Sequence, residues 1–463
     1  MENQDQTTNR YSVLFVICLT TILVPFMSSA LNLALPIIAK EYSMNAITLS
    51  WVVSIFLLVS AIFPVPFSKV ADNVGRRKLF LTGILIFTLA TLICGFSVSG
   101  TLLIVGRFLQ GFGASMVFAT NMAIVTSVFP PNERGKALGI ITAVVYVSAS
   151  SGPFLGGMLT HYFGWRSIFY ITASIGILAI VGIFTLMKGE WSEPKKGRFD
   201  WIGVIFYGSG LSLLIYGFSI LPTLSGFFSI SIGLVALAGF VAYEKQQQFP
   251  VLNVKLFWEN KVFGFASTAA LINYSSTFAI SFLLSLYLQY IKGLSAQHAG
   301  MVLIAQPIAQ TILSPLAGRW SDRTDPRNLA TLGMAIIVVG LVLMFFLVPA
   351  TPIWAVVIIS ILLGIGFGVF SSPNMNVIMG SVEKKYIGMA SATTNTMRLT
   401  GQAFSMGITT MVISLCVGKV KISQDVLPQF MQSIHITFMI MAALCCLGVY
   451  TSFTGKKQKR IAE

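Results

Sequence analysis

Acidic residues are few in this chain and are missing from the interior of its apolar stretches. Asp and Glu together account for 15 of 463 residues, and charged residues of both signs make up only 10%. A soluble domain carries about 25% charged residues, whereas this chain is 55% hydrophobic with a mean hydropathy of +0.83. The shortage of charge excludes an ordinary soluble protein and predicts a chain embedded in lipid.

Cysteine, histidine and catalytic signatures are also scarce. The five cysteines show neither metal-ligand spacing nor extracellular pairs, so we expect free thiols. For the three histidines, surface or packing roles are the main interpretation and proton relay is the alternative. The chain has no phosphate-binding loop of the form G-x4-G-K-S/T and no grouping of metal ligands or of Ser, His and Asp. The sequence therefore indicates no enzyme, no metal and no cofactor.

The chain instead contains a series of apolar segments long enough to cross a bilayer. We predict fourteen helices, numbered 1 to 14 in chain order, at 12–36, 47–67, 79–98, 101–122, 137–160, 167–187, 201–220, 226–243, 264–290, 299–317, 329–348, 353–376, 388–416 and 431–453.

Positive residues indicate the orientation of these helices. With the N-terminus in the cytoplasm, Arg107 and Arg398 lie within spans, and the other Lys and Arg fall in inner loops and tails, except for Lys40, Arg166, Lys292, Lys419 and Lys421. The positive-inside rule then places both termini in the cytoplasm. This distribution accounts for the net charge of +15 without nucleic-acid binding.

A weak internal repeat divides the helices into two groups. The turn after helix 2 (68–78) and the turn after helix 10 (318–327) each place an aspartate four residues after a small residue and before basic residues. Helices 2 and 10 become equivalent if six helices form each half and two extra helices lie between the halves. The predicted division is a tail 1–11, a bundle 12–187, a linker 188–200, extra helices 201–243, a linker 244–263, a bundle 264–453 and a tail 454–463.

These two turns are candidates for a cytoplasmic gate. An aspartate here can cap a neighbouring helix N-terminus or pair with an arginine, holding the halves together in one state. The alternative is a merely solvated, positive loop. The candidate gate residues are Asp72, Gly75, Arg76 and Arg77 in the first turn and Asp322 and Arg323 in the second, poorer copy.

Predicted helix 5 carries an unusual number of residues that weaken helices. Glycine allows two helix backbones to approach closely, and proline removes an internal hydrogen bond and kinks the helix. This pattern predicts close packing or a bend, and its residues are Gly139, Ser148, Gly152, Pro153, Gly156 and Gly157.

These motifs resemble those of the major facilitator superfamily, and in particular its fourteen-helix drug:proton antiporters. The helix 5 pattern resembles the antiporter motif G-x8-G-x3-G-P-x2-G-G, with Ser148 at the second glycine. The turn after helix 2 resembles G-x3-D-R/K-x-G-R/K-R/K, with Ser68 and Asn73 as departures, and 107–113 resembles R-x2-Q-G-x-G/A. The stretches 199–203, 250–257 and 364–401 match the fourteen-helix subgroup.

One departure from the family concerns the proton. The family commonly places an aspartate in helix 1, where it can carry the proton and meet cationic drugs, but here Met27 occupies that position, five residues before Asn32. All fifteen acidic residues lie in loops, tails or helix ends. The residue that carries the proton is therefore not identified by the sequence.

Arg107 and Arg398 are the two charges expected inside the spans. A buried charge is costly in lipid, so each should face a cavity or a partner. Two positive charges facing one cavity would favour anionic, zwitterionic or neutral substrates over lipophilic cations. Alternatively, Arg107 snorkels to the outer surface, or the arginines bond to backbone carbonyls and to amides such as Gln110 and Asn395. Aromatic residues such as Tyr146 are candidates for lining a drug cavity.

The resemblance implies an all-α integral membrane transporter of a bacterial-type plasma membrane. We expect proton-gradient-driven multidrug or antibiotic efflux by alternating access, in which a monomer in the lipid bilayer exchanges protons for a small-molecule substrate. The alternatives are an exporter of one anionic or amphipathic metabolite or lipid, and a membrane sensor or scaffold that does not transport.

Overall fold

A computed structural model describes residues 9–191, 200–247, 252, 254–383 and 387–454 of the chain. All regular secondary structure in the described part is helical. We number the long helices α1 to α14 in the order of the predicted helices. They cover Arg10–Glu41, Ala46–Ile62 with Pro64–Val74, Arg76–Gly95, Gly100–Val128, Pro131–Phe163, Arg166–Leu186, Trp201–Ile220, Leu224–Glu244, Lys261–Ile291, Ala296–Arg323, Pro326–Phe345, Ile353–Gly380, Ile387–Cys416 and Leu427–Phe453.

Among the described residues, thirteen helices are long and apolar enough to cross a membrane, and α2 makes fourteen if its two pieces form one span. The pieces of α2 meet at 48°, where Pro64 and Pro66 begin the second piece. Proline lacks the N–H of the internal ladder and is tolerated in a first turn, so a helix breaks there at low cost. The prediction of an all-α integral membrane protein with up to fourteen spans is confirmed.

Most helices extend beyond the predicted apolar segments. Predicted helix 5 covered 137–160, whereas α5 runs over Pro131–Phe163. Predicted helix 2 ended at 67, whereas the second piece of α2 continues to Val74. Hydropathy detects only the part of a helix that crosses hydrocarbon, and the helices continue into polar surroundings at their ends.

Two helices are interrupted: α9 at points where the sequence gives little warning, and α10 just before Pro307, which lacks the N–H that would continue the ladder of the preceding turn. The helix α9 consists of Lys261–Thr277, Ile280–Leu286 and a π-helical turn Tyr287–Ile291, although no Pro or Gly lies between 277 and 291. The backbone N–H of Ala279 at its first break donates to Ser405 Oγ at 3.1 Å. The helix α10 divides into Ala296–Leu303 and Ala305–Arg323.

The chain forms two compact units, Met1–Leu211 with Leu294–Met301 and Ser212–Gly293 with Val302–Glu463. Within unit 1, α1 packs on α5 and α6, α3 packs on α4 and α6, and α2 packs on α4. Within unit 2, α10 and α11 pack on α12, α11 packs on α14, and α9 packs on α13 and α14. The predicted domain boundaries remain a prediction.

The same pattern of close glycine contacts occurs inside each unit. In unit 1, a Cβ on Gly113 of α4 would lie 2.5 Å from the Phe87 nitrogen of α3, and one on Gly111 would lie 2.8 Å from the Phe56 carbonyl oxygen of α2. In unit 2, a Cβ on Gly366 of α12 would lie 2.7 Å from Ile337 of α11, and one on Gly368 would lie 2.9 Å from Leu313 of α10. In both units, α4 and α12 thus pack closely between two neighbouring helices.

Candidate functional site

Arg107 lies in a buried polar network at the centre of unit 1. Its guanidinium is 1% exposed, its Nε donates to the Val52 carbonyl of α2 at 3.0 Å, and Nη1 donates to Gln110 Oε1. Gln110 in turn donates to Thr91 Oγ1 of α3 at 2.7 Å. The Phe56 ring lies 4.3 Å from the guanidinium carbon, a cation–π distance.

This network explains the spacing of the R-x2-Q-G-x-G stretch. Arg107 and Gly111 face α2, whereas Gln110 and Gly113 face α3. Each of these two faces of α4 therefore has one polar side chain that forms a hydrogen bond and one glycine that allows close packing. Snorkelling is wrong for Arg107, because its side chain is enclosed by protein and bonded to a carbonyl oxygen. Instead, Arg107 bonds to a backbone carbonyl and to an amide side chain, which was the other alternative considered from the sequence.

Arg398 of α13 has a more open environment. It is partly buried, and its Nη2 donates to Asn395 Oδ1 on the preceding helical turn at 2.7 Å. Asn395 is likewise partly buried. Because neighbouring residues at this spacing share a helix face, the pair presents a cationic group and an amide on one side of α13. No carboxylate of the described residues forms an ion pair with Arg398.

The glycines of α5 lie directly against α1. A Cβ on Gly156 would be 2.5 Å from the Ala30 Cα, and one on Gly152 would overlap Ser29. Ser148, on the same helix, is 3% exposed and donates back to the Val144 carbonyl at 2.6 Å. The backbones of α1 and α5 therefore approach at a distance that no larger residue permits.

The other motif residues of α5 have different surroundings. A Cβ on Gly157 would lie 2.6 Å from the Ala296 carbonyl oxygen, and Gly300 lies against the Pro153 carbonyl, so residues 296–300 pack on α5 inside unit 1. Gly139 has nothing within 4 Å of a Cβ. Tyr146 is partly buried. Close packing thus accounts for 152–157 and not for Gly139.

Met27 and Asn32 of α1 are both enclosed. Met27, at the position where the family commonly has an aspartate, is 1% exposed, and Asn32 is 5% exposed. Every described carboxylate lies in a helix end or a connection, as the sequence predicts. The two nearest in sequence to predicted spans are Asp200 and Glu244, each one residue from a span.

The turn between α2 and α3 contains an ion pair. Asp72 Oδ1 accepts from Arg76 Nη2 at 2.9 Å and from Nε at 3.3 Å, and Arg76 Nη1 donates to Ser127 Oγ of α4 at 2.6 Å. Gly75 between them has φ +115°, a conformation that favours glycine. Of the two roles considered for Asp72, the structure contains the pairing with an arginine, on its own turn, and this pairing joins the ends of α2, α3 and α4.

The residue that caps a helix at this turn is Glu190, which no sequence pattern indicated. Glu190, just after α6, accepts from the backbone N–H of Arg77 at 2.7 Å and of Lys78 at 3.2 Å, the first turn of α3. Arg77 Nη2 donates to the Ile183 carbonyl at 3.3 Å. A carboxylate more than one hundred residues away along the chain leaves no local pattern, so only the tertiary structure identifies it.

The second copy of the turn differs from the first. Asp322 and Arg323 are exposed, and neither takes part in an ion pair within the described part of the chain. Pro326 stands four residues after Asp322, where the first copy has Arg76, so the same pair cannot form. Instead Asp325 caps α11 and holds Arg327 Nη2 at 2.7 Å.

At the opposite end of unit 1, another network was not expected. Arg166 Nη2 lies 2.8 Å from Glu41 Oε1 and donates to the Tyr42 hydroxyl at 2.8 Å and to the Ser97 carbonyl at 3.0 Å. Trp165 Nε1 donates to the second Glu41 oxygen at 2.7 Å. These contacts join the connections α1–α2, α3–α4 and α5–α6, where the sequence indicated only short outer loops.

The structure also locates the cysteines and two of the histidines, but not every residue of the subgroup stretches. The cysteines are free: Cys94 and Cys445 are buried, Cys18 and Cys416 are partly buried, and Cys446 is exposed. His435 contacts the Leu347 carbonyl at 2.6 Å, and His298 contacts Ser295 Oγ at 2.9 Å, consistent with packing roles. Phe199, Pro250 and Val251 lie outside the described residues.

The family of the chain follows from comparison with known proteins. A family model described as the Major Facilitator Superfamily matches residues 17–406 and 265–460. The chain belongs to this superfamily of membrane transporters, and it is a multi-pass membrane protein rather than an enzyme.

Several curated relatives have named functions. Over 86% of both chains, this protein is 33% identical to the riboflavin transporter RibZ of Clostridioides difficile (strain 630). It is 28% identical to the multidrug resistance protein Stp of Mycobacterium tuberculosis, over 81% of this chain and 71% of that protein. It is 26% identical to the methylenomycin A resistance protein of Bacillus subtilis, over 87% of this chain and 88% of that protein.

Solved structures resemble the fold. A bacterial homologue of the human lysosomal transporter Spinster superposes with a TM-score of 0.70 at 17% identity, covering 98% of this chain and 100% of that one. The nucleoside transporter NupG gives 0.65 at 11% identity, covering 97% and 100%. At these identities the likeness shows the fold alone.

Proposed function

We propose that this protein is a secondary active transporter that uses the proton gradient to export small organic molecules, including drugs or antibiotics, by alternating access. The observation that carries the proposal is the close packing of α5 on α1, where a Cβ on Gly156 would lie 2.5 Å from the Ala30 Cα. A dry, tightly packed contact excludes water, and an exchanger must exclude it to keep protons from leaking past the substrate. The resistance proteins among the relatives support the choice of drugs as substrates.

The driving force is sufficient for export. A proton that crosses with the membrane potential contributes about 2.3 kcal/mol per 100 mV. About 1.4 kcal/mol corresponds to a tenfold concentration ratio, so one or two protons support a substantial gradient. In this proposal the proton is taken up by carboxylates at helix ends, with Asp72 and Asp200 at the predicted cytoplasmic side as candidates, because the spans contain none.

A second candidate is transport of a neutral or anionic aromatic metabolite such as riboflavin. Two observations favour it. The relative with 33% identity over 86% of both chains is a riboflavin transporter. Arg398 and Asn395 together offer N–H donors and an amide carbonyl, without a carboxylate to attract cations. A flavin ring carries carbonyl and N–H groups of the kind that these side chains bind.

Transport into proteoliposomes distinguishes these functions. The purified chain is reconstituted with an imposed pH gradient and an imposed potential, and uptake of ethidium, riboflavin and an anionic riboflavin phosphate is measured. Proton-driven uptake of several unrelated compounds supports drug export, and uptake of riboflavin alone supports the second candidate. A panel that is not moved by either gradient, although the compounds bind, would favour a sensor or scaffold and contradict both.

A further inference from the structure

The chain that leaves α6 folds back onto the α2–α3 turn. After α6 ends at Leu186, the Trp191 carbonyl accepts from the Arg76 N–H at 2.9 Å. One residue earlier, the two oxygens of Glu190 accept from the N–H groups of Arg77 and Lys78. We call residues 187–191 the return segment. Three consecutive backbone donors at the start of α3 are therefore satisfied by this segment.

These donors have no partner within their own helix. The first N–H groups of any α-helix lie outside its internal ladder and need an external acceptor. The preceding residue is Gly75, which has no side chain to cap α3. A carboxylate suits this position, because the helix dipole makes its N-terminus electropositive. Asp72 is nearer in sequence, but Arg76 already occupies its carboxylate.

Gly75 fits the Glu190 side chain in a second, independent way. A Cβ on Gly75 would lie 2.6 Å from Glu190 Oε1 and 2.8 Å from Glu190 Cγ. Contacts below about 3.0 Å do not occur for real Cβ atoms without a shift of the neighbour. The absence of a side chain at Gly75 thus leaves the space that Glu190 fills, in addition to permitting φ +115°.

We propose that Glu190 is a positioning residue of the candidate gate: it fixes the α2–α3 turn to the return segment, so that the turn carrying Asp72 and Arg76 moves together with the end of α6. Its charge does not meet substrate. It holds the turn in the geometry that places Arg76 between Asp72 and Ser127. This role does not depend on the identity of the substrate or on proton coupling.

Hydrogen exchange of the full-length protein in lipid nanodiscs tests the proposal directly. Peptides covering Arg77 and Lys78 are compared between the unaltered protein, Glu190→Ala, Glu190→Gln and Glu133→Gln. Glu133 is a matched control, because it is a carboxylate of unit 1 that pairs with Arg10 and not with this turn. Glu190→Ala is expected to raise the exchange rate of these amides roughly tenfold, because each amide loses a charge-assisted hydrogen bond. Glu190→Gln keeps one acceptor oxygen and is expected to restore part of the protection.

Two further variants separate the fit at Gly75 from general loosening. Gly75→Ala should raise the same exchange both by displacing Glu190 and by straining the backbone at φ +115°; in the Glu190→Ala background only the backbone strain remains, so the substitution should add less. Equal effects of Glu190→Ala and Glu133→Gln, or fully additive effects of the Gly75 and Glu190 changes, would overturn the proposal. With riboflavin or ethidium as the transported probe, Glu190→Ala should lower the maximal rate and leave KM unchanged; an increase in KM alone would place Glu190 in substrate binding instead.

Discussion

The two arginines inside the spans differ in what surrounds them. Arg107 has an aromatic ring, a carbonyl oxygen and an amide around it and is 1% exposed, whereas Arg398 is partly exposed with one amide partner. A buried cation without a counter-ion is expensive, and it persists when several polar groups satisfy it. Arg107 is therefore part of the framework of unit 1, whereas the charge of Arg398 is only partly enclosed.

Alanine at each position separates these roles. Arg107→Ala removes a large buried side chain and leaves the Val52 carbonyl and Gln110 with unsatisfied hydrogen bonds, so it is expected to destabilise the protein by about 2–4 kcal/mol. Arg398→Ala should change stability by less than about 1 kcal/mol and weaken binding of anionic or neutral substrates. Thermal unfolding in detergent and substrate titration measure the two effects. Equal loss of stability in both variants would contradict the assignment.

At the scale of helices, hydrophobic length and glycine pattern predicted more than charge did. The number of spans and the close packing of α5 could be predicted because apolar length and glycine content are local properties of each helix, although the partner residues on α1 could not be named from sequence. Pairing of Asp72 with an arginine was one of the options left open, but a partner on the same turn was not specified, and the cap from Glu190 was not expected. The breaks in α9 have no Pro or Gly to mark them. They could not be predicted, because a tertiary contact from Ser405 accepts the backbone N–H that the first break leaves free.

The close contact between α1 and α5 can be tested by adding a single methyl group at Gly156. Gly156→Ala places a Cβ 2.5 Å from the Ala30 Cα and is expected to cost about 1–3 kcal/mol in packing and to lower transport strongly. Gly135→Ala on the same helix is the control, because nothing lies within 4 Å of a Cβ there. Initial transport rates, normalised to the amount of protein in the membrane, provide the comparison. Full activity of Gly156→Ala would mean that the approach of α1 and α5 is not required.

The two aspartates of the repeated turns should respond differently to amidation. Asp72→Asn removes a charge-assisted contact worth about 1.5–3 kcal/mol, enough to shift a conformational equilibrium about ten- to a hundredfold. It is expected to slow turnover and to leave substrate binding intact. Asp322→Asn, at an exposed residue without an ion pair among the described residues, should have a much smaller effect. Comparable losses in turnover for both would show that the ion pair is not the source of the effect.

For the whole molecule, we expect the placement of carboxylates to set the substrate range. The described carboxylates lie at helix ends, and Met27 occupies the position where the family commonly has an acid. A permanently charged lipophilic cation would lose its hydration on entering the spans without gaining an anionic partner. The family and the number of spans could be predicted from sequence, but a proton carrier could not be identified, since no acidic residue stands within a predicted span.

Substrate charge therefore provides a prediction for the complete transporter. Ethidium or a quaternary ammonium compound should be transported more slowly than riboflavin, and Arg398→Ala should narrow the difference by slowing riboflavin selectively. Competition between the two in the same vesicles measures the preference. Faster transport of the cation, unaffected by the arginine change, would point to an anionic site that the described residues do not contain.

Proton movement driven by substrate is the most direct test of proton-coupled export. Proteoliposomes are prepared with equal pH on both sides and no potential, a pH-sensitive dye is enclosed, and an outward substrate gradient of riboflavin or ethidium is applied. The account predicts proton flow opposite to the substrate, in the unaltered protein and not in Gly156→Leu. Substrate flux with no change in internal pH, in vesicles whose enclosed dye does respond when an external pH step is imposed in the presence of a protonophore, would contradict it.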